Sequence, residues 1–194
     1  MNRVKTPHRR PYKTHSPRSV NLWKPEQVWM FVEAADEMGR PSMGTLALLC
    51  FDLCERPSDM FNLTWLNYWQ QGQHWKRRNI TTHVTEAVGH KTVGYFDFRY
   101  IKTNTVKHIP ASAKLVERLN NTRKSALNDL IIYNDRNEMP LNMMTAGRVF
   151  KQIQKHACLS DTLQMRDLRM SGLKLSIQVP ATPEETTRDN ACHQ

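Results

Sequence analysis

A chain of 194 residues suits one domain with a sizeable core and is too short for two full ones. Its 28 Lys and Arg against 18 Asp and Glu leave a net charge of +10, which favours a polyanionic partner. The longest apolar run, residues 46–51, is far too short to cross a bilayer, and the amino terminus lacks an apolar signal segment. An intracellular protein is therefore expected.

The charge is uneven: from Met1 to Lys24 there are seven basic residues (Arg3, Lys5, Arg9, Arg10, Lys13, Arg18 and Lys24) and no acid. A basic, Pro-containing stretch without apolar periodicity cannot bury enough surface to order itself. Residues 1–21 therefore read as a disordered arm or linker and 22–194 as the folded domain. Arg9, Arg10, Lys13 and Arg18 are candidates for sequence-blind phosphate contact through counterion release. A solubilising tail is the plainer alternative.

Folded structure is expected to begin at Lys24-Pro25-Glu26, where proline at the first helical position precedes Val28, Phe31, Val32 and Ala35 at helical spacing. Gly39-Arg40-Pro41 ends that helix, and Ser42 is the expected cap of a second one running through residues 46–54. Pro57 starts a third, carrying Met60, Leu63 and Trp65. Between 67 and 110 the pattern changes to strands. In Tyr95 to Lys102, Phe96, Phe98 and Tyr100 share one side with Lys102, while Asp97 and Arg99 share the other. Thr103-Asn104-Thr105 reads as a tight turn, Val106 to Ile109 as the returning strand, and Pro110 as its stop.

Helical periodicity returns at Ala111 to Asn121 and at Asn142 to Ala157, separated by a short strand, Leu130 to Tyr133, and the turn Asn134-Asp135-Arg136-Asn137. Further helices are expected from Arg166 to Ile177 and after Pro183. The fold class is α+β, mainly helical, with a small antiparallel β-sheet inserted after three helices. The four cysteines (Cys50, Cys54, Cys158 and Cys192) show no paired CxxC spacing, and Cys50 and Cys54, one helical turn apart on an apolar stretch, read as buried free thiols. Zinc on Cys158 and His156 lacks a second ligand pair, so no metal site is expected.

Against this background, LCFDLCERPSDMFNLTW (49–65) resembles the first arginine box of the tyrosine recombinases, the phage-integrase family, with Arg56 in the arginine position. YIKTNTVKHIP (100–110) is similar to the family's lysine hairpin, with Lys102 in place. MRDLRMSG (165–172) resembles the HxxR box, and Ala191-Cys192-His193 is similar to the Leu-Gly-His segment that follows it. Order and intervals agree: 46 residues from Arg56 to Lys102, 67 on to Arg169, and 24 on to His193. The resemblance implies the catalytic-domain fold from residue 22 onward, without its last helices. It also implies a site that cleaves and rejoins DNA strands.

Physical chemistry supports those roles independently. Displacement at a phosphodiester builds charge on the non-bridging oxygens, and arginine forks satisfy it with bidentate hydrogen bonds. Arg56 and Arg169 are the candidates. Lys102, at a hairpin tip, is placed to protonate the departing 5′ oxygen, with Lys107 as an alternative donor and DNA contact. Arg166 and Arg169, three apart on an expected helix, would share a face around an anion, and His193 would hydrogen-bond the same phosphate. Structural alternatives stay open: a solvated interhelical Arg56, an edge-protecting Lys102, carboxylates such as Asp161, Asp167 or Glu185 as partners of the paired arginines, and a frayed His193.

Two departures from the family pattern bear on activity. Arg166 stands where most members carry histidine, and a guanidinium donates hydrogen bonds but cannot act as a base. The family's nucleophilic tyrosine follows the His193 position, whereas this sequence stops at Gln194, and Tyr12, Tyr68, Tyr95, Tyr100 and Tyr133 match other parts of the fold. The expectation is a chain that binds double-stranded DNA without forming the covalent intermediate by itself. It would be monomeric when free, would join other protomers only on DNA in a full-length form, and would reside in the cytoplasm with the nucleoid. No cofactor is required. A non-catalytic regulator of a recombination site and a decayed mobile-element remnant are the alternatives.

Overall fold

The computed structural model describes residues 21–70, 94–100, 105–123 and 129–178. Pro25–Glu37 forms α1, whose proline loses nothing at a position where the N–H has no intrahelical partner. Val28, Phe31, Val32 and Ala35 face inward, as their spacing predicts. Gly39, at φ 65, closes the helix and lets the Arg40 N–H reach back to the Ala35 carbonyl at 2.8 Å. Pro41–Asp52 forms α2, which is buried without a break from Ser42 to Cys50. A helix apolar on all sides has to be surrounded. Pro57–Met60 (α3), Ala113–Arg123 (α4), Met143–His156 (α5) and Asp167–Gln178 (α6), together with α1, all pack on it.

Between α3 and α4 lie Tyr68–Gln70 (β1), Gly94–Tyr100 (β2) and Thr105–Ala111 (β3), an antiparallel sheet in the order β1-β2-β3. Tyr68 and Ile109 flank Phe96 in register, and the rings of Tyr68, Phe96 and Phe98 follow one another with centroids 5.2 and 5.9 Å apart. Gly94 is where the sheet meets α4, since a Cβ there would lie 2.9 Å from Val116 Cγ2. Arg118 staples α4 to the α1–α2 corner, gripping Asp36 at 2.6 and 2.8 Å, Thr45 Oγ1 at 2.9 Å and the Pro41 carbonyl at 3.0 Å.

The loop before α6 is held from α5 and from the start of the chain. Fully buried Gln154 donates to the carbonyls of Ser160 and Leu163. Trp23, also buried, donates from Nε1 to the Gln164 carbonyl at 3.0 Å and from its backbone to Ser171 Oγ at 2.8 Å. No described helix is long and apolar enough to cross a membrane. The arm through residue 20, the hairpin tip with Lys102, and everything beyond Gln178, including the helix expected after Pro183, lie outside the described residues.

Several local expectations are corrected. Ser42 does not cap α2: the helix starts at Pro41 with Arg40 in the cap position, and the Ser42 N–H is satisfied by Asp135 Oδ1 at 3.1 Å, from a turn 93 residues away. Cys54 is outside α2, in left-handed backbone at φ 54, and is only half-buried, whereas Cys50 is a buried free thiol as expected. Burial pushes both thiols up. The third helix is a single turn, and Leu63 and Trp65 lie past its end. Pro110 does not stop β3; it sits opposite Tyr95, tolerated because β3 is an outer strand of the described sheet. Leu130 to Tyr133 makes only isolated bridges, Leu130 to Thr64 and Tyr133 to Pro140. Its apolar run records the full burial of Ile131 and Ile132 in a connecting segment, a pattern that periodicity cannot separate from a core strand.

Burial raises the Asp135 carboxyl above its usual range, opposed by the hydrogen bonds from Ser42. The folded chain therefore holds that proton more tightly than the unfolded chain, and the site's contribution to stability declines as pH rises through the raised value. Asp135→Asn keeps an acceptor for the Ser42 N–H and removes the charge. In urea denaturation it should match or exceed the wild type at neutral pH, with the difference closing toward about pH 4. Asp135→Ala should cost about 1 kcal/mol by leaving the helix end uncapped.

Candidate phosphate-binding site

Proline at 57 drives the preceding residue to extended backbone, and Arg56 accordingly sits at φ −74, ψ 145, exposed, at the mouth of α3. Its guanidinium has no ion-pair partner among the described residues. Two residues earlier, the left-handed Cys54 ends the run of α2, and its carbonyl accepts a 3.0 Å hydrogen bond from Arg169 Nε on α6. Gly172, three residues further along α6, permits this approach: a Cβ there would collide with the Phe51 carbonyl. The helix α6 thus lies backbone to backbone on the end of α2. Arg169 is thereby joined to the backbone two residues before Arg56.

Between them, Glu55 is buried, and its carboxylate takes an ion pair from Lys107 Nζ on β3 at 3.7 Å. Cationic residues from the α2–α3 turn, from β3 and from α6 therefore border one short stretch of chain. Arg169 spends its Nε–H on the Cys54 carbonyl, which fixes the plane of the guanidinium and leaves the terminal NH2 groups for an anion.

Arg166 is placed differently from the expectation. It precedes α6, because the chain from Gln164 closes in tight turns, with the Asp167 N–H on the Gln164 carbonyl at 3.0 Å. The two arginines do not share a helical face, and Arg166 Nε lies 3.7 Å from Asp167 Oδ1, one of the carboxylates considered as its partner. Lys102, His193, Arg9, Arg10, Lys13 and Arg18 lie outside the described residues. Among the described residues no cluster of His, Cys, Asp and Glu could hold a metal ion. Sequence reasoning missed Glu55 and the Cys54 carbonyl; the one available signal was an acid wedged between the apolar run of α2 and Arg56.

Arg169→Lys keeps the charge and loses the fork. It should lower the unfolding free energy by about 1 kcal/mol, whereas Arg166→Lys should stay within about 0.5 kcal/mol, both read from urea titration. Gly172→Ala should cost about 3 kcal/mol or more, because the Phe51 carbonyl is backbone and cannot swing aside.

No protein-family model matches the sequence, and no curated protein matches it. Solved structures do resemble the fold. A lambda integrase dimer bound to a COC′ core site superposes with a TM-score of 0.60 at 17% identity, covering 86% of this chain and 43% of that one. The lambda integrase catalytic core gives 0.58 at 16% identity, over 82% of this chain and 85% of the core. XerA recombinase gives 0.56 at 12% identity, over 80% of this chain and 50% of XerA. The chain therefore spans under half of the integrase chain and most of its catalytic core. Its fold is that of a tyrosine-recombinase catalytic domain.

Proposed function

We propose that this chain binds duplex DNA by one backbone phosphate held between Arg56, Arg169 and Lys107, as the catalytic-domain portion of a site-specific DNA recombinase. The observation that carries this reading is the Arg169 hydrogen bond to the Cys54 carbonyl at 3.0 Å, beside Arg56. The solved structures of like fold support it, since they include lambda integrase bound to a core site and to a Holliday junction. In the full-length enzyme Lys102 would protonate the leaving oxygen and His193 would bind the phosphate, with Arg166 as an outlying donor.

Strand cleavage needs a tyrosine that can reach the phosphorus as a nucleophile. Tyr68 is 2% exposed, enclosed by Trp65 and Phe96, and burial pushes the Tyr133 phenol up, away from the reactive phenolate. This chain is proposed to bind without forming a covalent adduct. Affinity for a labelled duplex should fall steeply with salt, and Arg169→Ala should flatten the log–log slope by about one. A nicked suicide substrate should give no covalent protein–DNA band, and a band abolished by phenylalanine at any of the five tyrosines would refute that part. Sequence-selective protection without cleavage would mark a regulator that occupies a recombination site. Salt-insensitive binding, or binding untouched by Arg169→Ala, would refute the DNA reading.

A further inference from the structure

One residue holds α6 and its approach at two places. The Trp23 N–H donates to Ser171 Oγ at 2.8 Å, and the indole Nε1 donates to the Gln164 carbonyl at 3.0 Å. Ser171 gives its own hydrogen to the Asp167 carbonyl one turn back, at 2.7 Å, so its oxygen is committed as the acceptor for Trp23. The Gln164 carbonyl also takes the Asp167 N–H at 3.0 Å, which ties the clamp to the turn that starts the helix. Trp23 and Ser171 are buried, and the indole stands edge-on to Phe31 of α1 and Phe150 of α5, with each centroid 5.8 Å away. The clamp is therefore fixed to the rest of the core. Arg169 lies in the chain between its two points, Gln164 and Ser171.

Resting on the DNA-binding reading above, we propose that Trp23 is a positioning residue for Arg169: by holding the chain at Gln164 and at Ser171 it sets the rotation of α6 about its axis. That rotation decides whether Arg169 Nε meets the Cys54 carbonyl at 3.0 Å. The contact of α6 with α2 is a weak key by itself, because Gly172 lays bare backbone against Phe51 with no side chain to interlock. Met170, Leu173 and Leu175 are exposed, so packing grips the helix on only part of its circumference. A roll of about 20° would carry an atom about 6 Å from the helix axis through about 2 Å. That is enough to break a hydrogen bond of ordinary length. With Trp23 in place the guanidinium plane is set before DNA arrives, and binding does not have to order it.

The test separates positioning from general stability. Binding of a short labelled duplex is followed by fluorescence anisotropy across a salt series for the wild-type chain, Trp23→Phe, Ser171→Ala, Arg169→Ala and the Ser171→Ala/Arg169→Ala pair, with thermal unfolding as the folding control. Trp23→Phe keeps a ring and removes the Nε1 donor, whereas Ser171→Ala removes the acceptor. Each should weaken binding by roughly threefold to tenfold and flatten the salt slope toward that of Arg169→Ala. Ser171→Ala should cost little more once Arg169 is gone. Thr45→Ala, which removes an Arg118 contact near the start of α2, should lower the melting temperature and keep wild-type affinity. Unchanged affinity and slope in folded Trp23→Phe and Ser171→Ala, additive losses in the double variant, or an equal loss in Thr45→Ala overturns the positioning role and leaves the DNA reading standing. A wild-type chain whose binding ignores salt, or ignores Arg169→Ala, overturns both. If Ser171→Ala does not fold, Trp23→Phe decides, paired with Arg169→Ala in the same way.

Discussion

The close approach of α6 to the end of α2 is the constraint on which the site depends. Helix pairs are normally held apart by the side chains between them, but Gly172 removes that spacer against the Phe51 carbonyl. The chain then leaves α2 through a left-handed Cys54, and the carbonyl so exposed meets Arg169. A non-glycine residue in that conformation is held against its own preference, here by the packing of α6 and by the proline that fixes the next turn. Two distant arginine segments become one locus through backbone geometry.

The arginines of the described residues differ in how far each is satisfied. Like charges brought together need either a bound anion or a fixed counter-charge. Arg118 shows the settled case: its guanidinium is held by Asp36, Thr45 and the Pro41 carbonyl and ties α4 to the α1–α2 corner. Arg56 and Arg169 differ, because the first has no carboxylate partner among the described residues and the second is only partly satisfied by a neutral carbonyl. Arg166 falls between them, leaning on Asp167 at the rim.

Most of the helical scaffold was legible from periodicity and punctuation. Proline and the spacing of Val28, Phe31, Val32 and Ala35 define α1, and Asn142 accepts from the Thr145 N–H to cap α5 where the pattern begins. The alternation of Phe96 and Phe98 gives the buried face of β2. Readings failed where a local signal had a non-local cause. Ser42 is a good capping residue displaced by a carboxylate from the Asn134–Asn137 turn. The apolar Ile131-Ile132 reflects burial and not strand pairing, and Arg166 misses the helix because tight turns precede it.

By itself, the sequence determined the order of the helices and the apolar centre in α2, because side-chain period and Pro or Gly punctuation are local properties. Only the tertiary structure decided that Arg169 reaches the backbone beside Arg56 while Arg166 pairs with Asp167. That outcome rests on one glycine letting two backbones touch, on a cysteine forced into left-handed backbone, and on a buried glutamate opposite a strand lysine. Each is a contact between segments far apart in the chain, whose energy depends on distance in space and leaves no periodic trace along the polymer.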